Sequence, residues 1–83
     1  MNHLINNTTK LAHTLRAARK RLKWSQIDAA NRSGLYTKTV SLLENSPEKC
    51  SVETLLKHIS SLKLEILLVD SPLASDDDNS QEW

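Results

Sequence analysis

Ser25 to Asn45, SQIDAANRSGLYTKTVSLLEN, is the stretch on which the reading of this chain turns. Within it, Gln26 is followed four residues on by Ala30, eight on by Gly34 and fourteen on by Val40. Two helices that cross steeply through a turn of roughly three to four residues can approach only if the first offers a small side chain, which Ala30 supplies. Gly34, the only glycine in the chain, stands where the first helix must stop in a left-handed conformation that costs other residues free energy. Leu35, Val40 and Leu43 then give the second helix a buried side, with Leu35 entering from the turn, and Thr37, Lys38 and Ser41 are left pointing outward, Leu42 at their margin. This is the spacing of a DNA-reading helix-turn-helix, whose second helix presents such a row to a major groove. The alternative is an ordinary pair of packed helices with a glycine cap.

Composition agrees with a small binding module. Eighty-three residues make one domain, with room for one modest core and little for a catalytic cleft. The formal charge of +1 conceals a strong asymmetry. Residues 1–43 carry Lys10, Arg16, Arg19, Lys20, Arg21, Lys23, Arg32 and Lys38 against Asp28 alone, whereas residues 44–83 carry three lysines against nine acids. A basic half that coincides with the helix-turn-helix is the electrostatic footprint of a protein that sits on phosphates, although a basic run can also be a solvated helix face. Cys50, the only cysteine, has no internal disulfide partner, and no apolar run approaches the roughly twenty residues of a membrane span. The start, MNHLINNTT, lacks the charged and apolar regions of a signal peptide, so a reducing cytoplasm, at the nucleoid, is the expected location.

Outward from the motif, the expected architecture is mainly α: a domain of four to five helices with a C-terminal strand. Residues 1–7 form an N-terminal arm, 8–70 the DNA-binding domain with its dimerisation strand at 64–70, and 71–83 a disordered acidic tail ending in Trp83. Thr8 or Thr9 can cap a first helix running to about Arg21 or Leu22, with Leu11, Leu15, Ala18 and Leu22 on its apolar side. Trp24 follows at a corner and plugs the core. Ser25 caps the second helix, whose apolar side is Ile27, Ala29 and Ala30, and the reading helix spans about Thr37 to Leu43 or Glu44. SPEKC, residues 46–50, reads as a polar loop. Ser51 caps a fourth helix with Glu53 in its first turn and Val52, Leu55, Leu56, Ile59 and Leu62 facing inward.

LEILLVD, Leu64 to Asp70, reads as a strand covered on both faces, with a last helical turn as the alternative. A lone strand leaves backbone donors and acceptors without partners, and the only other strand-like stretch is the weak HLIN at residues 3–6. The partner strand is therefore expected from a second copy, with Leu64, Ile66, Leu67, Leu68 and Val69 forming the two-fold interface. Such a dimer places two reading helices roughly 34 to 36 Å apart and reads a palindromic operator in double-stranded DNA. Beyond Asp70, SPLASDDDNSQEW is acidic and poor in core formers, which predicts disorder. Trp83 at its end reads either as an incidental exposed residue or as an anchor for a pocket on a partner.

Trp24 to Gln26 (WSQ), the turn at Gly34, TVSLLENSP at Thr39 to Pro47, SVETLLKHISSLKLE at Ser51 to Glu65, the ILLVD strand and the terminal Glu82-Trp83 together resemble the Xre-type helix-turn-helix proteins, and within them the HipB antitoxins. The resemblance covers the whole chain, and the strand and the terminal pair make it more specific than the general motif. It implies a homodimer with paired C-terminal strands that represses its own operon and binds a HipA-like serine/threonine kinase toxin. Carried over by position, it implies that Tyr36, Thr37, Lys38 and Ser41 face base edges or nearby phosphates, that Gln26 meets the backbone, and that Trp83 docks into the kinase. Tyr36 departs from the small capping residue common there, Ala29 from a frequent leucine, and Thr37 and Lys38 from the glutamine-rich readers of several relatives. The operator sequence therefore does not transfer.

The expected mechanism separates affinity from choice. Gln26, the helix N-termini and some of Lys10, Arg16, Lys20, Lys23 and Arg32 supply salt-sensitive phosphate contacts. Lys38 can donate to guanine O6 or N7, with Thr37 and Ser41 shorter and more permissive. Two other readings are a phage-type Xre repressor without a toxin partner, and an adaptor that holds a toxin with little role for DNA. Catalysis is not expected: His3, His13 and His58 are scattered, Cys50 has no companion at metal-ligand spacing, and there is no glycine-rich phosphate loop. His13 and His58 are expected on helix surfaces, and no cofactor, metal, membrane or small-molecule substrate is implied.

Overall fold

A computed structural model describes residues 3–70 of the chain. Four α-helices follow in order, α1 (Thr8–Arg21), α2 (Gln26–Ser33), α3 (Thr37–Asn45) and α4 (Val52–Ser61), with a short 3-10 turn (Pro47–Lys49) between the last two. Each start is fixed by a local cap. Asn7, rather than Thr8 or Thr9, begins α1: its side chain accepts from the Lys10 backbone N–H at 2.8 Å, and Asn is the stronger cap. Ser25 and Asp28 form a reciprocal capping box on α2, with bonds of 3.0 and 2.9 Å. The backbone N–H and hydroxyl of Ser25 hold the Asp28 carboxyl below its ordinary range. Ser51 caps α4 by accepting from the Thr54 N–H at 3.1 Å.

Helix ends are equally specific. Gly34 closes α2 with φ +75°, and nothing lies within 4 Å of where a Cβ would stand, so the backbone conformation rather than crowding calls for glycine. The N–H groups of Gly34 and Leu35 both return to the Ala30 carbonyl, at 3.0 and 3.1 Å. After α1 and α4 the same left-handed step is taken by Lys23 (φ 63°) and Lys63 (φ 64°).

The core has two joined parts. Leu15, Ala18, Leu43, Ile59 and Leu62 form the larger cluster, and Ala29, Ala30 and Val40 the smaller one where α2 meets α3. Trp24 and Leu35 pack against both, so the tryptophan at the first corner joins the two clusters, as its position implied.

Four sequence expectations are corrected here. Ile27 is 61 % exposed instead of lying on the inner side of α2, because the close approach is made by Ala29 and Ala30. On α4, Val52 and Leu56 are exposed, at 69 % and 45 %. The face that packs inward holds Leu55, His58, Ile59 and Leu62, at the i, i+3, i+4, i+7 spacing of one helical stripe. His58, expected on a surface, is completely buried, and it is this histidine that rotates the inner face away from Leu56. The 46–50 stretch is a 3-10 turn with Pro47 buried and Cys50 half-buried rather than a polar loop.

Leu64 packs against the larger cluster, and the chain from Glu65 to Asp70 runs exposed with neither helix nor strand pairing. The last-helical-turn alternative for this segment does not occur, since α4 is capped at Leu62 and Lys63 turns left-handed. No strand is formed among the described residues, and Leu4 and Ile5 of the HLIN stretch are exposed as well. The tail at 71–83 and Trp83 lie outside the described residues.

Candidate nucleic-acid interface

Helix α3 has a buried side and an exposed one. Val40, Leu43 and Glu44 are buried, while Thr37, Lys38 and Leu42 are exposed and Ser41 is half-buried beside them. Tyr36 precedes the helix as its N-cap, 81 % exposed, and makes no side-chain capping bond. With no acidic residue in the first turn, this end of α3 keeps its positive polarisation, the condition for meeting a phosphate or a base acceptor. Tyr36, Thr37 and Lys38 thus stand exposed at the N-terminal end of α3, with Ser41 half-buried one turn further on.

What holds that helix in place is a buried polar junction. Glu44 receives the Arg19 guanidinium as a fork, Nε at 2.6 Å to one carboxylate oxygen and the terminal nitrogen at 2.9 Å to the other. The remaining Arg19 nitrogen donates to the Trp24 carbonyl at 2.8 Å. Gln26 Nε2 donates to Glu44 at 3.2 Å, and Arg16 Nε lies 3.6 Å from the same oxygen. One carboxylate on α3 is therefore bonded to the last turns of α1 and to the first residue of α2, and through Arg19 to the corner between them. Burial pushes the Glu44 carboxyl up, but the hydrogen bonds from Arg19 and Gln26 and the charges of Arg19 and Arg16 together hold it below the ordinary carboxylate range. The bond to Glu44 raises the Arg19 guanidinium further above its usual value, against a smaller opposing effect of burial.

Gln26, expected on the DNA backbone, thus has its side-chain amide engaged with Glu44, while its backbone opens α2. Lys23 is exposed at the left-handed corner between α1 and α2, and Lys10 and Lys20 are exposed along α1. Arg32 lies apart from the α3 row: its guanidinium stacks 4.6 Å from the Trp24 ring centroid, and it borders an open groove between α2 and α4 with Val52, Glu53 and Leu56.

The Arg19–Glu44 pair goes beyond the sequence expectation, in which Arg19 is one cation of the basic half. A signal existed: Arg19 is four residues from Leu15 and seven from Ala12, and Glu44 is four from Val40, so each falls in phase with a buried stripe. Opposite charges on two inward faces are buried only if they meet. Among the described residues no group of three or more His, Cys, Asp or Glu could hold a metal ion, and no helix is long and apolar enough to cross a membrane. The Cys50 thiol is pushed up by burial and by the nearby Glu48 charge.

No family model matches the chain. Individual proteins do. The antitoxin HipB of Escherichia coli strain K12 is 32 % identical over 82 residues, 95 % of this chain and 93 % of its own length. That of strain CFT073 is 33 % identical over 82 residues, covering 95 % of this chain and 87 % of its own. Among solved structures, a complex of HipB(S29A) with an O2 20mer superposes with a TM-score of 0.79 at 30 % identity, over 86 % of this chain and 99 % of that one. A HipA-HipB-O2-O3 complex gives a TM-score of 0.78 at 30 % identity, covering 84 % and 99 %. With near end-to-end identity of this order and a shared arrangement of helices, the chain belongs to the HipB antitoxin family.

Proposed function

We propose that the chain is a sequence-specific DNA-binding repressor, the antitoxin component of a type II toxin-antitoxin operon, that represses its own operon and binds a HipA-like serine/threonine kinase toxin. The observation that carries this reading is the outward row of Thr37, Lys38 and Ser41 on α3, on a helix anchored to α1 and α2 through Glu44. The relatives solved as HipB complexes with O2 and with HipA support the choice of both partners. Lys23 and the exposed cations of α1 supply phosphate contacts, and Tyr36 flanks the row; Arg32, stacked on Trp24 beside the α2–α4 groove, is not assigned to them.

The functional unit is a homodimer. Ile66, Leu67, Leu68 and Val69 are four consecutive exposed apolar residues with backbone free to pair, a combination that soluble monomers avoid. Pairing with the same segment of a second copy, together with Leu64, covers them and fixes two α3 helices at the spacing of a palindrome. Sedimentation of a folded monomer at micromolar concentration would contradict this. Trp83 is assigned to the toxin, and a Trp83→Ala variant that still retains a HipA-like kinase at full strength would remove that assignment.

A mobility-shift titration on the DNA upstream of the operon, run at two salt concentrations, tests the whole. A dimer neutralising about six to ten phosphates is expected to lose roughly a thousandfold or more in affinity between 50 and 200 mM salt. Absence of binding even at low salt would leave the adaptor reading instead. Lys38→Ala is expected to relax preference at one position of each half-site, at a cost of about 1 to 3 kcal/mol. An unchanged selection profile for that variant would refute Lys38 as a base reader.

A further inference from the structure

Leu42 is an apolar side chain on a face of α3 that otherwise faces solvent. Because α3 turns every 3.6 residues, the buried Val40, Leu43 and Glu44 leave Lys38, Ser41, Leu42 and Asn45 on the opposite side. Leu42 is 38 % exposed and belongs to neither buried cluster. It stands one turn beyond Lys38, at the i, i+4 spacing that makes two helix side chains neighbours. Asn45, the next residue of that row, turns its amide back to donate to the Ser41 carbonyl at 2.7 Å. Leu42 is therefore the apolar surface of the reading row, placed directly beside its only cation.

Base edges in the major groove are almost wholly polar, and the apolar group among them is the C5 methyl of thymine. We propose that Leu42 is a specificity-determining residue that packs against a thymine methyl at a base pair neighbouring the one Lys38 contacts. The proposal rests on the DNA-binding reading above and assigns it a further position of choice. Leucine gives no hydrogen bond, so a cytosine at that place would leave its N4 amine desolvated and unpaired, and the site would reject it.

The test begins with selection of duplexes by the full-length chain, followed by replacement of each thymine in the selected half-site by deoxyuridine. That change deletes one methyl and keeps every hydrogen-bonding group. Affinity is expected to fall about fourfold at one thymine per half-site, the worth of one buried methyl. For Leu42→Ala, with its helical content and unfolding midpoint checked against the wild type, thymine and uracil at that position should bind alike. Leu42→Met, which keeps an apolar tip, should restore most of the discrimination.

The proposal is overturned if the selected half-site holds no thymine whose methyl matters, or if Leu42→Ala keeps the full penalty for uracil. Failure of the wild type to select any duplex is a different result, and it overturns the DNA-binding reading together with this one.

Discussion

Glu44→Ala should lower the unfolding free energy by about 3 to 5 kcal/mol, the cost of leaving a buried charge without its partner. Arg19 cannot shed its proton at accessible pH, and in the variant its fork of donors would face a cavity in place of two carboxylate oxygens. Gln26 would lose its acceptor at the same time. For a domain whose total stability is about 5 to 15 kcal/mol, this approaches unfolding. Glu44→Gln keeps the shape and one acceptor and should cost less. Replacing both partners by leucine should cost less than either single truncation, since the penalty of a broken buried pair exceeds the net worth of an intact one. Denaturant titration of the singles and the double forms the cycle. A Glu44→Ala cost below about 1 kcal/mol would show that solvent reaches the pair.

The same junction links stability to DNA affinity. Glu44 is the point at which α3 is fastened to both preceding helices, so partial loosening should weaken operator binding by more than the unfolded fraction accounts for. Its carboxyl titrates lower in the folded chain than the ordinary value of 4.5, so the stabilisation it contributes is present above that value and is lost as pH falls through the folded one.

His58 governs a separate and milder pH range. Its side chain is completely buried, and neither ring nitrogen has a hydrogen-bond partner among the described residues. Burial pushes its pKa down; Glu44 on α3 opposes this and Arg19 on α1 adds to it. A histidine that titrates lower when folded is neutral in both states well above its ordinary value of 6.5. As pH falls below 6.5 the unfolded chain binds the proton more readily, and stability declines. Thermal midpoints measured from pH 7.5 to pH 5 should therefore fall for the wild type and stay nearly level for His58→Leu. At neutral pH that replacement should add about 1 to 3 kcal/mol, the usual desolvation penalty of an unsatisfied buried polar group. Equal slopes for the two proteins would mean that His58 is hydrated or paired when folded.

The residues that announced the fold act over short distances along the chain. Ser25 and Ser51 cap their helices through bonds three residues away, and Gly34 closes α2 by its own backbone freedom. Ala30, Val40 and Leu43 follow a helical period, so the motif, its buried side and the outward Thr37, Lys38 and Ser41 could be read without knowing what surrounds them. Thr8 or Thr9 is the cap expected from the sequence, and the structure places the cap one residue earlier, at Asn7.

Tertiary packing alone decided the rest. Val52 and Leu56 are as apolar as Leu55 and Ile59, and the choice among them depends on which side of α4 meets the other helices, with His58 taking the inner place. Arg19 and Glu44, 25 residues apart, look like two surface charges until α1 and α3 are laid together. The reason is physical: caps and turns are satisfied by neighbours in sequence, whereas a polar side chain enters the interior only when a distant residue supplies the compensating charge or the fold leaves it no other place, and that partner exists only once the helices have packed.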